Sequence, residues 1–82
     1  MDEETRSAEQ LAQDYTAMGH SVDLINGIID GSEMADESDE DKKDAVRRNK
    51  EHLELMVAKD DWGSEDMTSA NSAITSATTY LG

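Results

Sequence analysis

The chain has 82 residues, no cysteine, a formal net charge of −13 and an aromatic content of only 4%. A chain of this length forms one domain at most, and it buries about 60% of the surface that its unfolded form exposes. The composition excludes disulfides and thiolate metal sites, and no run approaches the ~18 apolar residues of a transmembrane helix. The acidic N-terminus lacks the basic start and apolar core of a signal peptide. We therefore expect a soluble single domain, 1–82, whose thin core is completed by oligomerisation or by a partner.

The negative charge is concentrated in the first half of the chain. Residues 1–41 carry thirteen acids and one base, residues 42–60 four acids and six bases, and residues 61–82 three acids and no base. A field of this sign repels nucleic acid and anionic membranes, so we expect direct binding to neither. Charged partners should be basic. An alternative is that the charge only keeps the chain in solution.

The first predicted element is a long amphipathic helix over about 4–29. Its apolar residues recur at alternating steps of three and four, which is the heptad pattern of a packed helix. Gly19 lies inside this pattern, and a break there with Ser21 as a new cap is an alternative to one continuous helix. The pattern stays in phase across Gly19, which favours one helix, and Gly31 is placed to end it. The apolar seam consists of Ala8, Leu11, Tyr15, Met18, Val22, Ile25 and Ile29.

An acidic, mobile loop over 32–38 and a second helix over about 39–59 follow, with Ser38 as the predicted N-cap. Asn49 occupies a position of the second seam, where it either specifies register or lies hydrated at the edge of the stripe. The basic residues of this helix should neutralise the acids of the first helix. The seam of this helix is Val46, Asn49, Leu53 and Met56, and its basic residues are Lys42, Lys43, Arg47, Arg48 and Lys50. The acids of the loop and of the helix start form a predicted acidic patch, which consists of Glu33, Asp36, Glu37, Asp39, Glu40 and Asp41.

A turn over 60–63 contains Trp62, which either closes a small core or inserts into a pocket of another protein. Ser64 is the predicted N-cap of a third helix over about 65–81. Sixteen residues from Met67 to the C-terminus carry no charge, which indicates burial on more than one side, as at the core of an interface. The alternative is a weak, frayed helix, since Ser and Thr are mediocre helix formers. Its seam is Met67, Ala70, Ile74, Ala77 and Leu81.

The sequence contains no recognisable catalytic or metal-binding pattern. His20 and His52 are far apart, and without cysteine a zinc site would need carboxylates from several elements. The segments from Asp30 and from Asp60 both fail the EF-hand pattern, and no phosphate loop or nucleophile elbow is present. We therefore predict no enzyme, no catalytic residue, no metal and no cofactor.

One set of residues in the second half carries a resemblance to known proteins: Asn49, His52 to Glu54, Met56 to Lys59, Trp62, Glu65 to Thr68, Asn71, Ala73 and Ile74. In these residues the stretch 49–74, about a third of the chain, resembles a segment of small proteins of tailed bacteriophages. The resemblance implies a viral setting, with a role in the virion or its assembly and a location in the host cytoplasm or the particle. It carries over no functional residues.

Two functions remain open on this basis, besides an adaptor whose acidic loop folds on a partner. The first is a structural or interaction protein, either a helical hairpin or a three-helix bundle, that assembles with itself or docks on a larger virion protein. The second is an acidic inhibitor that imitates nucleic acid in the basic groove of a host nuclease or transcription protein, although its carboxylates lack evenly spaced rows. The predicted interface residues are Leu11, Tyr15, Met18, Val22, Ile25, Leu53, Met56, Trp62, Met67, Ala70, Ile74, Ala77 and Leu81.

Overall fold

A computed structural model describes residues 7–59, 62 and 65–82 and shows a three-helix bundle. The helices are α1 (Ala8–Asp30), α2 (Asp39–Ala58) and α3 (Thr68–Leu81), and each contacts the other two. Within those described ranges there is no strand. Tyr15 contacts Asp66 near one end of the bundle, and Ile29 lies beside Tyr80 near the other, so α1 and α3 run in the same direction. The predicted all-α class is confirmed.

Local hydrogen bonds define both ends of α1. Ser7 has extended backbone angles, and its hydroxyl accepts the N–H of Gln10, so α1 begins at Ala8. The predicted start near residue 4 lies outside the described residues; within them, the helix begins directly after a serine cap. The helix passes through Gly19 without a break. It ends at Gly31, whose φ of +90° is open to glycine at little cost, and this predicted end is confirmed.

The turn between α1 and α2, predicted as an acidic loop, is folded onto the bundle. The backbone N–H groups of Ser32 and Glu33 both donate to the carbonyl of Gly27, at 2.9 and 3.0 Å. Glu33 passes so close to Gly27 that a Cβ on this glycine would collide with its Cγ. Met34 is half-buried against the core, and the hydroxyl of Ser38 accepts the N–H of Asp41 at 3.1 Å. The acidic residues are therefore attached to a fixed backbone.

The start of α3 differs from the predicted one at residue 65. The N-cap position belongs to Met67, whose side chain makes no capping hydrogen bond, and the helix begins at Thr68. The carboxylate of Asp66 accepts the N–H of Thr68 at 2.8 Å and so replaces the expected serine cap. The predicted cap itself, Ser64, and positions 60, 61 and 63 of the predicted turn lie outside the described residues.

The core is built from aliphatic residues of α1 and α2 and from alanines of α3. Ile25, Val46 and Leu53 are the largest fully buried side chains. Small side chains let the α3 backbone approach the other helices closely, so that α3 contributes burial without large apolar residues. The buried core residues are Met18, Val22, Ile25, Ile28, Val46, Leu53, Trp62, Ala70, Ala73 and Ala77.

Trp62 closes the end of this core. It is 5% exposed, and its indole N–H donates to the carbonyl of Met56 at 2.7 Å. The ring of Tyr15 meets the indole edge-on, with centroids 6.1 Å apart, and the Tyr15 hydroxyl donates to the carbonyl of Asp66 at 3.0 Å. The structure agrees with the interpretation of Trp62 as a residue that closes the core, and not with its insertion into a pocket of another protein.

Candidate interaction surface

The predicted interface residues lie inside the chain's own bundle. Seven of them are buried: Met18, Val22, Ile25, Leu53, Trp62, Ala70 and Ala77. The other six pack against this core and are partly buried: Leu11, Tyr15, Met56, Met67, Ile74 and Leu81. The heptad steps correctly identify the side of each helix that is covered. The covering surface is another helix of the same chain, so most of the area that a partner of the folded protein contacts must come from other residues.

The basic residues of α2 do not pair with α1 as expected. Arg47 and Arg48 both contact the carboxylate of Asp44, and Lys50 lies 2.9 Å from that of Glu54. All three pairs join residues three or four apart on α2, where the helix itself brings the side chains together. They lie at the surface and contribute little to stability. The predicted neutralisation of α1 by this helix is wrong for these three bases.

Asn49 and His52 show what the polar residues near the α2 seam do. Asn49 is half-buried and donates to the carbonyl of Ala45 in its own helix at 2.8 Å, which agrees with a position at the edge of the stripe. His52 reaches across to α1, where its Nδ1 lies 2.8 Å from the hydroxyl of Ser21. No local sequence pattern indicates this contact, because its two partners are 31 residues apart.

A serine hydroxyl beside an imidazole is also the first requirement of a nucleophilic site. Ser21 is only 6% exposed and lies in the interface between α1 and α2, where a substrate cannot reach it. The contact therefore satisfies two polar groups in that interface. No buried side-chain nitrogen or oxygen in the described part of the chain lacks a hydrogen-bond partner.

All six residues of the predicted acidic patch are exposed, and Asp30 joins them as a seventh carboxylate. The seven carboxylates extend from the last residue of α1 through the turn to the first turn of α2. In that first turn, negative side chains interact favourably with the positive end of the helix dipole. Hydrogen bonds from the Ser32 side chain and backbone N–H lower the pKa of Asp30. Among the described residues, no group of three or more potential ligands is arranged to hold a metal ion.

The uncharged outer face of α3 is the largest departure from the acidic character of the protein. We define the α3 face as six exposed residues, Thr68, Asn71, Ser72, Thr75, Ser76 and Thr79. A shallow apolar depression continues from it to Tyr80 and to Ile29 of α1, which is 39% exposed. The face is accessible because only the opposite side of α3 packs in the bundle.

Hydrogen bonds within the helix satisfy the hydroxyl of one threonine of the α3 face and of one threonine beside it. The hydroxyl of Thr75 donates to the carbonyl of Asn71 at 3.1 Å, and that of Thr78, beside the face, donates to the carbonyl of Ile74 at 2.8 Å. These hydroxyl protons are used within the helix and are not offered to solvent. Desolvating the face therefore costs less than desolvating a charged helix.

Comparisons with known proteins add no assignment. No family model matches the chain, and neither the curated proteins nor the solved structures contain a significant match to it. In the described ranges, no helix has the combination of length and apolar character that crossing a membrane requires.

Proposed function

We propose that this chain is a non-enzymatic structural or interaction protein that docks on a larger protein through the α3 face. The observation that carries the proposal is an exposed helix side without charge on a protein of net charge −13. Protein interfaces combine a charge-depleted centre with a polar rim, and the α3 face with its neighbours has this arrangement. Asp66 precedes the face, and Asp23 lies on the neighbouring side of α1.

The size of the face favours a larger partner over an isolated homodimer. A helix of 14 residues is about 21 Å long and about 10 Å across, so one such side covers roughly 200 Å² in projection. Stable protein pairs bury about 1,200–2,000 Å² in total. Two α3 faces alone fall short of this area, whereas a larger protein can also contact the flanking sides of the bundle. We therefore expect the isolated chain to be a monomer at micromolar concentration.

The biological setting that we propose is the virion, or the assembly pathway, of a tailed bacteriophage, in the host cytoplasm or the particle. The resemblance of residues 49–74 to small phage proteins supports it.

The test of the docking surface is a co-sedimentation assay with purified phage particles or assembly intermediates, using the full chain. Ser72→Glu combined with Ser76→Glu adds two charges to the centre of the α3 face without touching the core. Gln13→Glu combined with Ala17→Glu is the matched control, because it adds the same charges at the same spacing on the exposed side of α1.

We expect the α3 variant to lose binding by at least about tenfold, since burying unpaired charges is costly, and the α1 variant to bind as the wild type does. Equal binding of both variants would refute the role of the α3 face. Absence of the chain from particles and assembly intermediates, measured by mass spectrometry, would refute the proposed setting.

A second candidate is the acidic inhibitor, and the fixed turn between α1 and α2 favours it. This turn and the start of α2 present seven exposed carboxylates within twelve residues on an ordered backbone, which a partner with a basic groove could contact. The discriminating measurement is the salt dependence of binding. Docking through the α3 face should be nearly independent of salt, whereas binding through the acidic patch should weaken steeply between about 50 and 200 mM salt.

A further inference from the structure

Gly19 is a glycine that the fold of this chain does not require. It lies in the middle of α1, and its φ is not among the positive values, which in the described residues occur at Gly31, Gly82 and Met34. A Cβ built on Gly19 would meet no atom within 4 Å, in contrast to Gly27, where the neighbouring turn excludes one. A glycine inside a helix destabilises it relative to alanine. Gly19 therefore weakens the helix and gives the bundle no packing advantage in return.

What Gly19 does provide is an open cleft between α1 and α3. The cleft has a volume of about 220 Å³, its floor is formed by Met18, Val22 and Ala70, which are 3%, 9% and 1% exposed, and Tyr15 and Gly19 also line it. A cavity of about 150 Å³ is large enough to bind benzene, so this cleft has room for a short aliphatic chain. A side chain at position 19 would extend into this space.

The charged residues that line the cleft are both acidic, one on α1 and one just before α3. Asp23 lies one turn after Gly19 on α1, and Asp66 precedes α3. The side chain and the backbone N–H of Thr68 lower the pKa of Asp66. An apolar lining with carboxylates at its edge is complementary to an alkyl chain that ends in a positive charge.

We propose that the α1–α3 cleft binds a lysine side chain of the docking partner, with the aliphatic stem lying over Gly19 and beside Tyr15, above the floor of Met18, Val22 and Ala70, and the ammonium group near Asp23 and Asp66. This proposal rests on the proposed function, because the cleft adjoins the start of the α3 face through Ser69. It adds one specific anchor to that docking surface. Lysine fits better than arginine because its charge is compact and its stem has four carbons.

The test uses n-butylammonium chloride as the probe and amide NMR shifts of the full-length protein as the readout. Two comparators separate the contributions: tetramethylammonium has the charge without the stem, and n-butanol has the stem without the charge. We expect saturable shifts at Gly19, Ser69 and Ala70 with n-butylammonium, with a dissociation constant on the order of millimolar. Neither comparator should give saturable shifts at these positions over the same range.

Two variants of Gly19 form a matched pair for this test. Gly19→Leu fills the cleft and should abolish the saturable shifts, whereas Gly19→Ala leaves most of the volume and should bind within about twofold of the wild type. Asp23→Asn should weaken binding by roughly three- to tenfold, because it removes one of the two charges. Far-UV circular dichroism confirms that each variant is helical, and leucine and alanine are both good helix formers.

Three results would overturn the proposal: unchanged binding to Gly19→Leu, equal binding of n-butanol and n-butylammonium, or shifts confined to the acidic patch. The last would mean that the probe is attracted by net charge only. The Ser72→Glu, Ser76→Glu variant distinguishes this failure from that of the proposed function. If it binds n-butylammonium normally and also co-sediments normally, the cleft is real and the α3 face is not the docking surface.

Discussion

Replacing Gly19 with alanine should stabilise the protein, which is the reverse of the usual effect of a substitution inside a helix of a small bundle. Gly19 is exposed, lies within the continuous helix α1, and has open space where the new methyl group would be placed. The substitution therefore adds helix propensity without a collision. It also reduces the conformational freedom of the unfolded chain.

The expected gain is about 1 kcal/mol, the difference between glycine and alanine in a helix interior. No burial contribution is added, because the surroundings of the methyl group are open. For a domain of this size a gain of 1 kcal/mol raises the melting temperature by about 4–8 °C. Gly27→Ala is the contrasting variant. It gains the same propensity, but its Cβ collides with Glu33, and overpacking of this kind costs about 1–3 kcal/mol.

Urea denaturation followed by circular dichroism at 222 nm measures both variants against the wild type. We expect the midpoint to rise for Gly19→Ala and to fall for Gly27→Ala, with unchanged slopes. A lower midpoint for Gly19→Ala would refute the reasoning, because it would mean that the fold itself needs a glycine at this position. In that case the cleft would exist only because the backbone of α1 requires a glycine at position 19.

Three further predictions concern the core and the start of α3. Leu53→Ala, at a fully buried position, should destabilise the bundle by about 2–5 kcal/mol in urea denaturation, and a loss below 1 kcal/mol would mean that the site is not packed as described. Trp62→Phe removes the hydrogen bond to the carbonyl of Met56 and should cost about 1–2 kcal/mol, whereas unchanged stability would show that this bond contributes nothing. Asp66→Ala should lower stability at pH 6. Because hydrogen bonds from Thr68 lower the pKa of Asp66 from its ordinary value of 3.8, its contribution is present above that pH and disappears as the pH falls through the lowered pKa. Denaturation at pH 6 and at acidic pH checks this, and a difference between the two proteins that persists in acid would contradict it.

Features that depend on neighbouring residues could be predicted from the sequence. The steps of three and four identified the buried side of α1, because the helix period fixes which side chains share a face. Ser38 correctly predicted the start of α2, and Gly31 correctly predicted the end of α1. Both could be predicted because a helix cap depends on one or two residues, through a side chain that accepts a hydrogen bond or a backbone that is free to adopt a positive φ. The start of α3 was missed because an aspartate two residues before the helix competes with serine as a cap.

What covers each buried side was decided only by the tertiary structure. Periodicity shows that the α3 seam is covered, but it does not distinguish another helix of the same chain from a second molecule. The contact of Ser21 with His52, and the cleft that Gly19 and Asp23 line together with the distant Asp66, join parts of the chain that lie far apart in sequence. Their meeting depends on the direction and rotation of three packed helices, which are set by the shape of the whole core and by no single segment. The uncharged composition of α3 was evident from the sequence alone, whereas its exposure on the outer side of the bundle was not.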